Sequence, residues 1–168
     1  EILDRLLRLP GRRQPGEARP VPGALQVRLG PQQVADDRRG LNAIAASADR
    51  DSVSAGDDCE AHDATFETSP ETTLKEFVAQ ALRAAPLASI SGGEATWLLD
   101  TDGAGKACIG VIAQQWPAPR FLVDSTRTVH QHFGARAPQI YFRYWCQASP
   151  EAVYSALLLG EPLPPKYS

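Results

Sequence analysis

The chain has 168 residues, of which 43% are hydrophobic and 22% are charged, an ordinary composition for one globular domain. Its formal net charge is −3 at pH 7. Nucleic acids and anionic membranes attract proteins with a surplus of Lys and Arg, so this charge disfavours both as partners. No apolar run reaches the roughly 18 residues of a membrane-spanning helix, and we expect a cytoplasmic protein.

The first 23 residues are predicted to contribute little to a folded core. Apolar residues recur at helical spacing between Ile2 and Leu9, which predicts a short helix that ends before Pro10 and Gly11. The segment that follows, up to Gly23, is rich in Pro, Gly and Arg and is typical of a linker.

Residues 24–29 favour a strand and residues 41–48 favour an Ala-rich helix. We interpret residues 1–50 together as a poorly ordered N-terminal extension with a short helix. Residues 51–168 are predicted to form a single domain.

The most uneven charge distribution lies between residues 51 and 71. This segment contains no Lys or Arg, and it carries seven acidic residues: Asp51, Asp57, Asp58, Glu60, Asp63, Glu67 and Glu71. An acidic segment of this kind is typical of a solvated loop, and it can also present negative charge to a basic protein, because complementary charge speeds association.

A helix is predicted directly after the acidic segment, from Thr73 to Ala85. Its apolar residues follow the spacing of one buried stripe: Leu74, Phe77, Val78, Ala81, Leu82 and Ala85. Thr73 and Glu76 form the sequence pattern of a capping box, and Pro86 cannot continue the helix.

The segment Thr65–Leu82 (TFETSPETTLKEFVAQAL) resembles the strand-into-helix step of ubiquitin-like β-grasp domains. Ser-Pro stands at the turn, and Thr-Thr-Leu opens the helix. The resemblance covers eighteen residues and implies a local strand–turn–helix arrangement, without a function.

The region after the helix favours strands. Residues 95–100 and 107–113 flank a turn with two glycines, which predicts a β-hairpin. Residues 120–124 predict a further strand. Pro138–Cys146 predicts another, with Ile140, Phe142, Tyr144 and Cys146 on one face and Tyr141, Arg143 and Trp145 on the other.

The last predicted element is a helix over residues 150–159, with Ser149 as N-cap, Pro150 at its first position and Gly160 after its end. Its expected buried stripe is Val153, Tyr154, Leu157 and Leu158. The elements together predict an α+β fold, with a mainly antiparallel sheet of four or more strands, two packed amphipathic helices and an irregular N-terminal segment.

Three cysteines, Cys59, Cys108 and Cys146, lie far apart and form no C-x-x-C pair. This set is typical neither of a disulfide framework nor of a zinc site. We expect Cys108 and Cys146 to be small, buried residues in strands, in a reducing compartment.

A metal site is one alternative function. Hard oxygen ligands and one imidazole lie within seven residues, and they are Asp57, Asp58, Glu60, His62 and Asp63. Residues 100–103 begin like a calcium-binding loop, but Val111 stands where that loop requires Glu. Residues 103–106 suggest a phosphate-binding loop, but Ala107 stands where Ser or Thr is needed. No cofactor is predicted.

A thiol-dependent hydrolase or transferase is another alternative. The residue types of a nucleophile, a base and an orienting carboxylate are present in Cys108 or Cys146, His130 or His132, and Asp124. A thiol inside a strand is usually buried and inert, and His130–His132 is interpreted as polar surface in a loop.

The leading hypothesis is a small acidic interaction module that binds or neutralises a basic protein partner, such as a bacterial toxin, as an immunity protein does. We expect partner contacts from the acidic loop and from two aromatic residues that would anchor an interface if exposed: Asp57, Asp58, Glu60, Asp63, Trp116 and Trp145.

Overall fold

The computed structural model describes residues 42–53, 60–102, 105 and 107–167. This part of the chain has an α+β fold with a six-stranded, mostly antiparallel sheet. The elements in chain order are β1 (Ile44–Arg50), β2 (Ala64–Thr68), α1 (Leu74–Ala84), β3 (Thr96–Asp100), β4 (Cys108–Ala113), β5 (Arg120–Phe121), α2 (Val129–Phe133), β6 (Gln139–Tyr144) and α3 (Pro150–Leu159). The helix predicted between Ile2 and Leu9, the linker and the strand at residues 24–29 lie outside the described residues.

The strands are ordered β2-β1-β6-β3-β4-β5 across the sheet. Neighbouring strands are antiparallel, except that β1 and β6 are parallel in the middle of the sheet, with Ser47 opposite Gln139 and Arg50 opposite Phe142.

The predicted Ala-rich helix at residues 41–48 is wrong, because residues 44–50 form strand β1. Ala46 and Ala48 are buried, whereas Ala45 and Ser47 are exposed, which is the alternation of a strand. Pairing with β2 on one side and β6 on the other overrides the helix propensity of alanine. The sheet therefore includes residues that we assigned to the N-terminal extension.

The predicted hairpin is confirmed, since β3 and β4 are antiparallel neighbours. The first predicted helix is also confirmed as α1, with Thr73 as N-cap and Glu76 completing the capping box. The predicted strand at residues 120–124 is shorter than expected, because β5 contains only Arg120 and Phe121.

The helix α1 covers one face of the sheet, here called the helical face. Its buried residues Leu74, Phe77, Val78 and Ala81 share one core with the inward-facing residues of the strands, which are Ala46, Ala48, Trp97, Leu99, Ile109, Ile140 and Phe142. The aromatic rings of Phe66 and Phe133 lie 5.6 and 5.5 Å from that of Phe77, centroid to centroid.

The helix α3 lies on the opposite face, where Val153 packs against Leu98 of β3 and Val111 of β4. Ser149 caps its first turn and Gly160 follows its end, as predicted, and Gly160 has the left-handed conformation. The predicted stripe is wrong at Leu158, which is 63% exposed, because the buried residues of α3 are Pro150, Val153 and Ala156.

The short helix α2 was not predicted, and residues 130–132 were wrongly interpreted as a loop. Thr128 and Gln131 form its capping box, and Val129 and Phe133 are its buried residues. Five residues are too few for a helical periodicity to stand out in the sequence.

Among the helices of the described residues, none has the length and hydropathy to cross a bilayer.

Candidate functional site

The face of the sheet opposite α1 carries polar residues where it runs through β2, β1 and β6. We call this region the open face. Ser47, Thr65 and Gln139 are exposed on it, and Asp49 and Tyr141 are half-buried. It arises because each of these strands alternates between an apolar residue toward α1 and a polar residue away from α1.

A row of polar side chains crosses the open face toward β4. Asp49 of β1 lies opposite Tyr141 of β6, which in turn lies opposite Asp100 of β3. Cys108 of β4 is the next residue in this row, at a register shift between Leu99 and Asp100. Residues directly opposite one another on adjacent strands project to the same face.

Asp100 is the most buried carboxylate of this row, with no exposed surface. Nη2 of Arg143 lies 2.8 Å from its Oδ2 atom and forms an ion pair with it. Neither carboxylate oxygen has a hydrogen bond of good geometry within the described part of the chain. Burial raises the pKa of Asp100, Arg143 lowers it, and Asp102 and Asp51 raise it further, with a net upward shift.

Gly105, between β3 and β4, lies close to this ion pair. Gly105 has a φ of +74°, and a Cβ atom at this position would lie 1.9 Å from Nη2 of Arg143. The positive φ favours glycine at this position, and a larger residue would also require the guanidinium group of Arg143 to shift.

Asp51 lies just after β1 and binds two groups of β6. Its Oδ1 atom accepts a hydrogen bond of 2.5 Å from the hydroxyl of Tyr141, and its Oδ2 atom accepts one of 2.9 Å from the backbone N–H of Tyr144. Burial, this hydrogen bond and the neighbouring carboxylates raise the pKa of Tyr141 to about 12. The phenol therefore stays protonated at neutral pH and donates to Asp51.

Further carboxylates belong to the end of the sheet where β1 ends and β2 begins. We call this end, with the connection between the two strands, the acidic corner; its carboxylates are Asp49, Asp51, Glu60 and Asp63. The two strands are antiparallel, with Ala48 opposite Ala64, so Asp63 lies at the same end of the sheet as Asp49. A hydrogen bond of 3.4 Å joins Ser52 Oγ, just after β1, to His62 Nε2, just before β2. Glu60 and Asp63 are exposed.

The predicted acidic loop thus leads into the acidic corner. Asp57, Asp58 and Cys59 lie outside the described residues, so the complete metal-ligand set cannot be placed. Within the described ranges, no group of three His, Cys, Asp or Glu side chains is positioned to hold a metal ion. The metal alternative through Asp57, Asp58, Glu60, His62 and Asp63 stays a prediction.

Cys108 is half-buried at the start of β4, and its thiol donates to the carbonyl oxygen of Gly110 at 3.3 Å. Burial raises the pKa of Cys108 to about 11, and the negative charge of Asp100 adds to this shift. A thiol with this pKa is protonated at neutral pH and is a weak nucleophile.

Cys146 follows β6 and is also half-buried. It has a φ of +57°, in the left-handed region that is uncommon for residues other than glycine. Its side chain interacts with the hydroxyl of Tyr167 near the C-terminus. Cys146 therefore lies beyond the end of the strand in which we expected it.

The candidate bases lie on other elements. His132 of α2 is 3.3 Å from the hydroxyl of Thr101, and its burial lowers its pKa. His130 is exposed on the same helix. Asp124 is exposed and accepts hydrogen bonds from the backbone N–H and hydroxyl of Thr126 at 2.9 and 2.6 Å. These contacts do not form the nucleophile–base–carboxylate chain that a thiol enzyme needs.

Trp116 and Trp145 belong to the apolar cluster beneath α3. The indole N–H of Trp116 donates to Glu151, and that of Trp145 donates to the carbonyl oxygen of Pro164, both at 2.9 Å. The guanidinium group of Arg120 lies 3.9 Å from the ring centroid of Trp116, and Nζ of Lys166 lies 5.0 Å from that of Trp145. Both indoles are therefore engaged within the chain.

Sequence reasoning did not single out Asp49, Asp51, Asp100, Tyr141 or Arg143 as site residues. The alternation of β6 did predict that Tyr141 and Arg143 share a face. Their pairing with Asp100 and Asp51 depends on the order of β1, β6 and β3 in the sheet, which no local pattern specifies.

Comparisons of the chain with protein-family models, with curated proteins and with solved structures gave no match.

Proposed function

We propose that this protein is a small acidic interaction module that binds a basic protein partner through the acidic corner. An immunity protein that covers a toxin is an example of this class. The observation that supports the proposal is the position of Asp49, Asp51 and Asp63 at the end of the sheet where β1 ends and β2 begins, with the exposed Glu60 in the connection between the two strands. The sequence adds Asp57 and Asp58 between the two strands.

Two arginines lie close to the corner in sequence or register. Arg143 is paired with the buried Asp100. The guanidinium group of Arg50 donates to the carbonyl oxygens of Pro86 and Asp51, both at 3.1 Å. Hydrogen bonds to carbonyl groups leave the charge of Arg50 in place, but the corner carries four carboxylates against this one arginine. We therefore expect a negative potential there, which would attract and orient a basic partner.

Binding has more support than thiol catalysis. The raised pKa of Cys108 keeps its thiol protonated, and His132 contacts Thr101. We also propose a cytoplasmic location, because Cys108 and Cys146 are free thiols, as is usual in a reducing compartment.

The proposal is tested with a flexible basic probe, a ten-residue peptide of alternating Arg and Gly with blocked ends. Isothermal titration calorimetry at low salt compares the wild type with the variant Glu60→Gln/Asp63→Asn. We expect the variant to bind about tenfold more weakly, since each exposed charge pair contributes up to about 1 kcal/mol.

The matched control is Glu94→Gln/Glu161→Gln, which removes the same number of exposed carboxylates outside the corner. Its affinity should stay close to that of the wild type. Equal losses in both variants would show that the probe responds to net charge alone, and the acidic corner would then be rejected as the binding site.

A further inference from the structure

We infer that the partner contributes an extended segment with alternating basic and apolar residues, which adds as a seventh strand to the outer edge of β2. This inference rests on the proposed function and specifies its binding mode. β2 is at the end of the strand order, and among the described strands it pairs with β1 alone. An edge strand presents backbone donors and acceptors that a further strand can bind.

The register of β2 is regular over its whole length, from Ile44 opposite Thr68 to Ala48 opposite Ala64. Natural proteins usually protect an edge strand with Lys, Pro, a β-bulge or a very short length. β2 contains no Lys or Pro, and its pairing with β1 has no register shift. Among the described strands, its outer edge therefore presents regularly spaced backbone groups, with Glu67 as the charged residue of the strand.

The side chains of β2 specify the charge of that partner. Thr65 and Glu67 are exposed on the open face. Asp63, two residues before Thr65, is also exposed and continues this alternation on the same face. Residues on an added strand would lie about 4.5–5.5 Å from their opposite neighbours, Cβ to Cβ. Lys or Arg at alternate positions of the partner would thus meet Asp63 and Glu67.

The side of β2 that faces α1 indicates which residues of the partner segment lie between its basic residues. Phe66 is half-buried and packs against Phe77 of α1, with ring centroids 5.6 Å apart. An apolar side chain from an added strand would cover the remaining exposed part of the Phe66 ring. The edge of β2 therefore fits a segment in which basic and apolar residues alternate.

A cavity of about 460 Å³ lies at the turn that follows β2, and Ser69, Glu71, Thr72 and Gln80 are among its lining residues. A partner strand that continues past Thr68 would reach this cavity.

The other end of the sheet is a poor docking edge. β5 has only two residues, and its Arg120 lies over Trp116 and pairs with Glu151 at 3.5 Å. Its positive charge would also repel a basic segment. The charges of the two edges therefore direct such a segment to β2.

The test uses an eight-residue peptide of alternating Lys and Val with blocked ends, and the same peptide N-methylated at every residue. Both carry the same charge, but the second cannot donate a backbone hydrogen bond. Three backbone hydrogen bonds at about 1 kcal/mol each predict that the first peptide binds on the order of a hundredfold more tightly in calorimetry.

Hydrogen exchange locates the binding. The Lys-Val peptide should slow exchange at amides within Ala64–Thr68 and leave Arg120 and Phe121 unchanged. Equal affinity for both peptides, or no protection in β2, would overturn strand addition. The proposed function would survive that result if the Arg-Gly peptide still depended on Glu60 and Asp63, so the two failures are distinguishable.

Reversing the charge of Glu67 and of the peptide tests whether the charged residues of the peptide lie opposite Glu67. Glu67→Lys should weaken binding of the Lys-Val peptide and create binding of a Glu-Val peptide, whereas Glu94→Lys should do neither. Equal behaviour of the two variants would overturn the inference and would instead assign Glu67 the role of a charge that keeps other strands off the edge.

Discussion

The two faces of the sheet use the same strands for different purposes. Toward α1, β1 and β6 place Ala46, Ala48, Ile140 and Phe142 in the core. On the open face the intervening residues are polar, and Asp49 is half-buried beside Tyr141. A strand has period two, so one short segment can supply both the core and a charged surface.

The two faces also differ in how much their side chains contribute to the free energy of folding. The helical face is stabilised by removing apolar surface from water, which contributes a large free energy for each buried side chain. The open face contains carboxylates whose exposed members contribute little to folding. Substitutions on the two faces should therefore have separable effects on stability and on binding.

The largest expected effect is on the helical face. Phe142 has no exposed surface, and Phe142→Ala should lower the free energy of unfolding by about 3–5 kcal/mol, because it leaves a cavity in the core. Urea denaturation followed by circular dichroism measures this loss. A loss as small as that of Tyr141→Phe, at the neighbouring position on the other face, would contradict the contrast between the faces.

The next largest effect is expected at the buried ion pair. Arg143→Met should lower the free energy of unfolding by about 2–3 kcal/mol, because Asp100 would lose its counter-ion, and the partial exposure of Arg143 moderates the loss. The double variant Arg143→Met/Asp100→Leu should recover part of that stability. If the double variant is less stable than Arg143→Met, Asp100 has another stabilising partner.

A smaller effect is expected for Tyr141→Phe, which removes the hydrogen bond to Asp51 and keeps the ring. The free energy of unfolding should fall by about 1 kcal/mol. In the wild type, ultraviolet absorbance during alkaline titration should show the phenol of Tyr141 with a pKa of about 12, and the variant should lack this contribution. Titration of all phenols near pH 10 would contradict the contact.

The smallest effect is a pH dependence that comes from Asp100. Its pKa is raised in the folded protein above the ordinary value of 3.8. The folded state therefore binds more protons than the unfolded state between 3.8 and the raised pKa, and Asp100 contributes less stability as pH rises through that window. Unfolding at a series of pH values should show this trend in the wild type relative to Asp100→Asn. The opposite slope would show that Arg143 outweighs burial.

The predictable parts of the fold carry local signals. Thr73 and Glu76 mark the start of α1, and Ser149 and Gly160 mark the two ends of α3, since capping depends on residues a few positions apart. By contrast, β1 is rich in alanine and has no marked strand propensity. Its conformation results from pairing with β2 and β6, which are distant in sequence.

The candidate site divides in the same way. The acidic segment with Glu60 and Asp63 is visible as composition, so its charge could be predicted. The position of Asp63 at the same end of the sheet as Asp49 and Asp51 could not be predicted, because it depends on the antiparallel pairing of β1 and β2. The prediction of Trp116 and Trp145 as partner contacts also depended on exposure, which α3 and the C-terminal residues reduce.

The salt dependence of peptide binding tests the central claim most directly. Affinity for the Arg-Gly peptide is measured between low and physiological salt for the wild type and for Glu60→Gln/Asp63→Asn, along with the free energy of unfolding. We predict a steep loss of affinity with salt in the wild type, a shallower one in the variant, and stabilities within about 0.5 kcal/mol of each other. The same salt dependence in both proteins would contradict binding at the acidic corner.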